Sequence, residues 1–227
     1  MWRRGIGTRP TILLPRRRGS YLAAAASGTL GPMRIIAGEH RGRRIAAPPG
    51  LETRPMLDRV REAMFSTLGR RVPGADVLDL FAGSGSLGLE ALSRGARSAR
   101  MIEKDRKALA ILGRNVANLG MEDRAAVVRG DALRPELWRA MPAGDPPDLV
   151  FLDPPYRLVE DPNLRSELLA RAGELLRETV ATTACLVLHV PARAIDWIRV
   201  PGPWRRDERR YGSSGLLYLC REAESAP

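Results

Sequence analysis

The stretch Ala75-Asp76-Val77-Leu78-Asp79-Leu80-Phe81-Ala82-Gly83-Ser84-Gly85-Ser86-Leu87-Gly88-Leu89-Glu90 most constrains what this chain can fold into. The apolar run Val77 to Phe81 predicts a buried strand with one carboxylate, Asp79, near its end. A glycine-rich turn follows, and Leu87, Leu89, Ala91 and Leu92 then open a helical pattern. Glycine is needed where the backbone turns sharply and a ligand approaches without a Cβ in the way. The free amides at the start of such a helix favour an anionic group such as a phosphate or carboxylate. The pattern predicts a nucleotide-type cofactor site.

Gly83, Gly85 and Gly88 match the spacing GxGxxG, which is weak alone. Glu103 closes the next apolar run, 20 residues after Gly83, where a ribose-binding acid is expected. S-adenosylmethionine (SAM) and NAD both satisfy that much, and a plain strand–turn–helix junction is the bland alternative. A second stretch, Asp148-Leu149-Val150-Phe151-Leu152-Asp153-Pro154-Pro155-Tyr156, predicts another buried strand ending in DPPY. Two prolines cannot continue a sheet, because neither has an amide to donate. The strand stops there, leaving the Asp153 carboxylate at its carboxyl end, where open α/β sheets bind ligands.

Around these motifs the apolar runs alternate between strand and helix character. Arg100–Glu103 and Ala125–Arg129 read as strands, and Ala108, Leu109, Ile111, Leu112, Val116 and Leu119 mark an amphipathic helix between them. A helix carrying Leu164, Leu168, Ala172, Leu175 and Leu176 follows DPPY, then the strand Thr183–Val190. Trp204–Tyr211 and Leu216–Cys220 read as a closing hairpin around residues 212–215. This alternation predicts a doubly wound α/β sheet. Cys185 and Cys220 both fall in apolar runs and are expected to be core residues, with no disulfide framework and a reducing compartment. His40 and His189 have no partner pattern, and no cysteine or histidine spacing supports a metal site. No apolar run approaches the ~20 residues that span a bilayer.

The net charge of +11 is uneven. Residues 1–32 hold six arginines and no acid, and residues 33–72 hold nine arginines against four acids. The remaining 155 residues are neutral, with 22 basic and 22 acidic side chains. A basic front beside a cofactor fold is what a polyanionic partner selects. Arginine bias is the bland explanation, since lysine occurs only at positions 104 and 107. Residues 1–32 sustain no period and fit a disordered basic tail, sequence ahead of a true start at Met33, or a transit peptide; the first two are the expectation. Residues 33–72 predict two short strands around the turn Glu39–Gly42, then a helix entered at Pro55 with Leu57, Val60, Met64 and Leu68 along one face.

Taken together, MRIIAGEHRGRRI, TRPMLDRVREAMF, LDLFAGSGSLGLEALSRGA and FLDPPY resemble the bacterial RsmD family, from Met33 to about Tyr156, with a looser echo at Arg210-Tyr211-Gly212. Met56 departs from the family, which usually has threonine there. The resemblance implies a Rossmann-like class I SAM-dependent methyltransferase domain over residues 73–222, preceded by a small hairpin and helix that bind RNA. It implies methyl transfer from SAM to the 2-amino group of a guanine in small-subunit ribosomal RNA, free or in an assembly particle. Asp153, Pro154 and Tyr156 are then the catalytic residues. Asp79, Phe81, Gly83, Gly85, Glu103, Asp131 and Ala132 would surround the cofactor. Arg34, Arg41, Arg43, Arg44, Arg54 and Arg61 would contact the RNA. A cytoplasmic monomer without a metal is expected. The rival readings are a DNA adenine methyltransferase, a protein glutamine methyltransferase (which usually carries asparagine at the position of Asp153), an NAD-dependent oxidoreductase, and a non-enzymatic RNA-binding module.

Overall fold

The alternating runs fold into one seven-stranded sheet in the computed structural model, which describes residues 33–47, 56–138 and 145–221. The elements in chain order are α1 (Asp58–Leu68), β1 (Asp76–Leu80), α2 (Ser86–Ser93), β2 (Ser98–Glu103), α3 (Arg106–Leu119), β3 (Ala125–Arg129), β4 (Leu149–Leu152), α4 (Tyr156–Glu160), α5 (Pro162–Glu178), β5 (Cys185–Pro191), β6 (Arg205–Tyr211) and β7 (Ser214–Cys220). The strand order is β3-β2-β1-β4-β5-β7-β6, with β7 antiparallel to both its neighbours and the other pairs parallel. This is the doubly wound, Rossmann-like sheet expected from the sequence. The chain winds outward from β1 to β3 and then returns to the other side of β1, so the connections leaving β1 and β4 part at the carboxyl ends, where open α/β sheets have their crevice.

The sheet is covered on both faces, which is why β1, β4 and β5 are buried along their whole length and read as continuous apolar runs. Val77 and Phe151 pack on one face, Leu78, Leu80, Val150 and Leu152 on the other. The edge strand β6, sequence RRDERRY, is charged and half exposed, which discourages edge-to-edge pairing. Asp105 caps α3 by accepting from the Lys107 and Ala108 amides, and the helix ends at Gly120 in the left-handed region.

The front segment differs from the expected two-stranded hairpin. Residues 33–47 form a turn closed by a single antiparallel bridge, Arg34 to Arg44, with Ile35 and Ile45 buried in the same core as Val77 and Leu89. Helix α1 begins at Asp58, and Pro55 lies outside the described residues, as do residues 1–32. The segment is fastened to α2. Glu90 accepts from the Ile36 and Ala37 amides at 2.7 and 3.1 Å, and Ser93 Oγ donates to the Ala37 carbonyl and accepts from the His40 amide. Gly38 lies so close that a Cβ there would sit 1.8 Å from the Ser93 carbonyl oxygen. Asn115 of α3 completes the seam by exchanging two hydrogen bonds with Ala46.

Two expectations are corrected here. Cys185 and Cys220 are core residues, but they are also joined as a disulfide, because β5 and β7 pair them directly across the antiparallel ladder. Arg61, expected at the RNA, has a side chain only 1% exposed. Its helix position, one residue beyond Val60 and three before Met64, turns it toward the core, where it donates to the Arg34 carbonyl and to Asp58 and lies 3.9 Å from Glu90. Burial lowers its pKa, with Glu90 and Asp58 opposing that shift.

Candidate active site

A cleft of ≈ 240 Å³ opens at the carboxyl ends of β1, β2, β4 and β5. The β1–α2 turn, residues 81–84, supplies one wall, Ile102–Asp105 a second, Ala132 a third, and Asp153–Tyr156 with His189 the fourth. Met33, Ala47 and Met56 approach from the front segment and the start of α1. β1 ends at Leu80, one residue earlier than the apolar run predicts. Phe81 then adopts φ 64°, a left-handed conformation uncommon for a bulky residue, and its ring lines the cleft.

The turn glycines serve different ends. Gly83 and Gly85 have positive φ, and a Cβ on Gly85 would meet Leu112 Cδ1 at 2.4 Å. A Cβ on Gly88 would fall 2.7 Å from the Met101 sulfur, so this glycine seats α2 against β2. Glu103 braces the turn by accepting from the Gly83 amide at 2.8 Å and from the Asp105 amide at 2.7 Å. Ala132 lines the cleft, whereas Asp131 turns one oxygen to the Leu133 amide. Asp79 lies behind the lining, fully buried, with Oδ2 accepting from the Gly88 amide at 2.9 Å and Oδ1 without a hydrogen-bond partner among the described residues.

Burial pushes the Asp79 carboxyl up to about 8, against the lowering effect of the Gly88 amide, and the charges of Asp153 and Glu103 push the same way. Two carboxylates, Glu103 and Asp153, thus line this end of the sheet, with the protonated Asp79 behind them. Such a field disfavours a pyrophosphate, and the Gly83 amide that a phosphate would take is already engaged by Glu103. It suits a cofactor bearing positive charge, as SAM does at its sulfonium and amino group, and the residues present fit that group. A carboxyl that keeps its proton in the folded state but releases it near 3.8 when unfolded stabilises the fold below about pH 4. That contribution is lost as pH rises through about 8. Denaturant midpoints measured from pH 5 to 8.5 should therefore decline, and Asp79→Asn, which keeps an acceptor for Gly88, should flatten the decline. An identical slope in both proteins would locate the titration elsewhere.

The DPPY segment behaves as its prolines require. β4 ends at Leu152, the Pro155 carbonyl starts α4 by accepting from the Leu158 amide, and no hydrogen bond reaches the Pro154 carbonyl among the described residues. Asp153 is partly exposed, with Oδ1 2.8 Å from His189 Nδ1. Tyr156 neighbours Ser214 of β7, and its ring meets that of His189 edge-on at 6.2 Å. Burial, then the Asp153 charge, raises the Tyr156 pKa, so its hydroxyl stays protonated. Nothing in the local sequence pairs His189 with Asp153 or marks Ser214. The one available signal is that both belong to strands whose ends reach the crevice.

Of the arginines expected at RNA, Arg34, Arg41, Arg43 and Arg44 are exposed on the front segment. Arg34 pairs with Asp58, and Arg43 donates to the Asn118 carbonyl and meets His40. Arg41 and Arg44 have no side-chain partner among the described residues. Arg54 lies outside those residues. No helix among them is long and apolar enough to cross a membrane.

Comparison with known proteins places this geometry. Residues 33–218 match the model of a family described as "Conserved hypothetical protein 95". The chain is 44% identical over 127 residues to ribosomal RNA small subunit methyltransferase D of Escherichia coli, covering 56% of this chain and 62% of that protein. It is 42% identical over 125 residues to the putative rRNA methyltransferase YlbH of Bacillus subtilis, covering 55% and 67%. The alignments thus span about two thirds of these relatives or slightly less. Among solved structures, the putative methyltransferase yhhF from Escherichia coli superposes with a TM-score of 0.69 at 34% identity, covering 85% of this chain and all of that one. An RNA methyltransferase from Salinibacter ruber in complex with S-adenosyl-L-homocysteine shares the fold, with a TM-score of 0.52 at 17% identity. A family match over most of the described chain, on a class I methyltransferase fold, means that the chain belongs to the conserved hypothetical protein 95 family, the RsmD family its motifs resemble.

Proposed function

We propose that this protein transfers a methyl group from SAM to the exocyclic 2-amino group of a guanine in small-subunit ribosomal RNA, in the cytoplasm. The observation that carries this reading is the meeting of the Pro154 carbonyl, unbonded among the described residues, and the partly exposed Asp153 carboxylate in a cleft that Glu103 also lines. The names of the curated relatives support the RNA substrate. SAM, when bound, supplies an activated methyl group. The turn at Gly83–Gly85 would hold its methionine end, Glu103 its ribose hydroxyls, and Asp131 with Ala132 its adenine.

A guanine 2-amino group is a poor nucleophile because its lone pair is delocalised into the ring. Asp153 and the Pro154 carbonyl accept its two hydrogens and favour the pyramidal form in which the lone pair is available. These acceptors stabilise positive charge that develops only as the amine reacts. Tyr156 stacks on a base swung out of its helix. The test is incubation of the purified protein with labelled SAM and unmethylated small-subunit rRNA, free or in particles, followed by nucleoside mass spectrometry. N2-methylguanosine is the expected product. Label on adenine or on protein, or binding of NADH in place of SAM, would overturn the assignment.

The front arginines are proposed as the RNA footprint, with Arg41 and Arg44 exposed and carrying no side-chain partner among the described residues. Log affinity for RNA should fall steeply with log salt. Replacing both by alanine should flatten the slope by roughly 0.7–0.9 for each phosphate no longer neutralised. An unchanged slope in the double variant would move the footprint off this segment.

A further inference from the structure

The pairing of His189 with Asp153 carries an inference about how the amine-accepting carboxylate is held. β4 and β5 are adjacent and parallel, with Leu152 opposite Leu188, so the next residue of each strand, Asp153 and His189, emerges side by side at the carboxyl ends. His189 Nδ1 lies 2.8 Å from Asp153 Oδ1, and the imidazole is only 4% exposed while the carboxylate is 29% exposed. An ionised carboxylate only accepts, so Nδ1 carries the proton and the neutral ring leaves a lone pair on Nε2. Nε2 is buried without a hydrogen-bond partner among the described residues. A proton there would be a buried donor with no acceptor. The ring therefore donates at Nδ1 alone. It fixes the carboxylate without adding a charge that would cancel it.

We propose that His189 is a positioning residue: its Nδ1–H occupies Asp153 Oδ1 and leaves Oδ2 as the carboxylate oxygen that faces the substrate amine, beside the Pro154 carbonyl. This assignment rests on the methyl-transfer reading above. The edge contact with Tyr156 ties the same imidazole to the proposed base-stacking ring, so one side chain from β5 sets two residues of the DPPY segment. A purely packing role would need the shape of the ring and not its donor.

Two substitutions separate these roles. Phenylalanine keeps the planar ring and removes the donor. Asparagine removes the ring and keeps a donor, because its amide nitrogen, like Nδ1, is bonded to Cγ. The full-length proteins are assayed for methyl transfer to unmethylated small-subunit rRNA, with SAM affinity by calorimetry and melting temperature on the same samples. His189→Phe should lower kcat about 10- to 100-fold, the worth of one hydrogen bond to a charged group, with SAM affinity and KM close to wild type. His189→Asn should recover to within about fivefold of wild type. Wild-type kcat in His189→Phe, or equal losses in both variants, would overturn the assignment. Should the phenylalanine protein not fold, His189→Leu, nearly isosteric with asparagine, takes its place, and equal rates in that pair overturn it likewise. Failure of the wild-type protein to methylate RNA is a different result: it removes the methyl-transfer reading and takes this assignment with it.

Discussion

Replacing Asp153 by alanine is expected to leave SAM binding nearly intact and to slow methyl transfer by two or more orders of magnitude, ~3 kcal/mol or more of barrier. The residue lines the cleft just beyond the end of β4, 29% exposed and bonded through Oδ1 to His189, so its loss strands one donor on β5 but removes no packing from the core. Asparagine is expected to fare little better than alanine. With Oδ1 committed to the His189 donor, the amide places an NH2 group where Oδ2 had accepted, and two donors then face each other. Turning the amide the other way sets that NH2 group against the Nδ1 proton. Moving the proton to Nε2 relieves that clash but buries a donor without an acceptor. Thermal stability, SAM affinity and single-turnover methylation on Asp153→Ala and Asp153→Asn provide the check. A stable, SAM-competent alanine variant working at near wild-type rate would remove Asp153 from the mechanism.

The second large effect concerns stability and lies away from the chemistry. Glu90 is fully buried, yet it accepts from two backbone amides of the front segment, from Arg94 Nε at 2.6 Å, and sits 3.9 Å from the buried Arg61. Glu90→Ala strands both amides and leaves the Arg61 guanidinium without its main compensating charge. Breaking a buried pair from one side typically costs ~3–5 kcal/mol. In a chain of this size that corresponds to a fall in Tm on the order of 10 °C. Glu90→Gln keeps an acceptor and should lie between alanine and wild type. Denaturant midpoints decide the matter: a loss below about 1 kcal/mol in the alanine variant would mean that the front segment is held by its apolar contacts alone. Because Met33 and Ala47 line the cleft, loosening this seam should also weaken SAM binding.

The parts of this protein legible in the sequence are those whose determinants lie within a few residues of one another. Val77 to Leu80, the glycines of the turn and the start of α2 form one contiguous strand–turn–helix unit, and its apolar run and glycine spacing specify it locally. The DPPY segment ends β4 because proline cannot donate to a ladder, a property of the residue and not of its neighbours. Glu103 stands at the expected spacing because one helix and one strand fill that interval. The remaining features required the sheet. His189 reaches Asp153 only because β5 lies beside β4 in parallel register, 36 residues away in the chain. Cys185 meets Cys220 because β7 inserts antiparallel against β5. Arg61, a charged residue inside a run of alternating charge, reads as solvated until α2 brings Glu90 to it, 29 positions on. A guanidinium or an imidazole is compatible with water or with a buried partner, and its own sequence neighbourhood is the same in either case. Only the winding order of the strands, through which side chains meet at their ends, decides between the two.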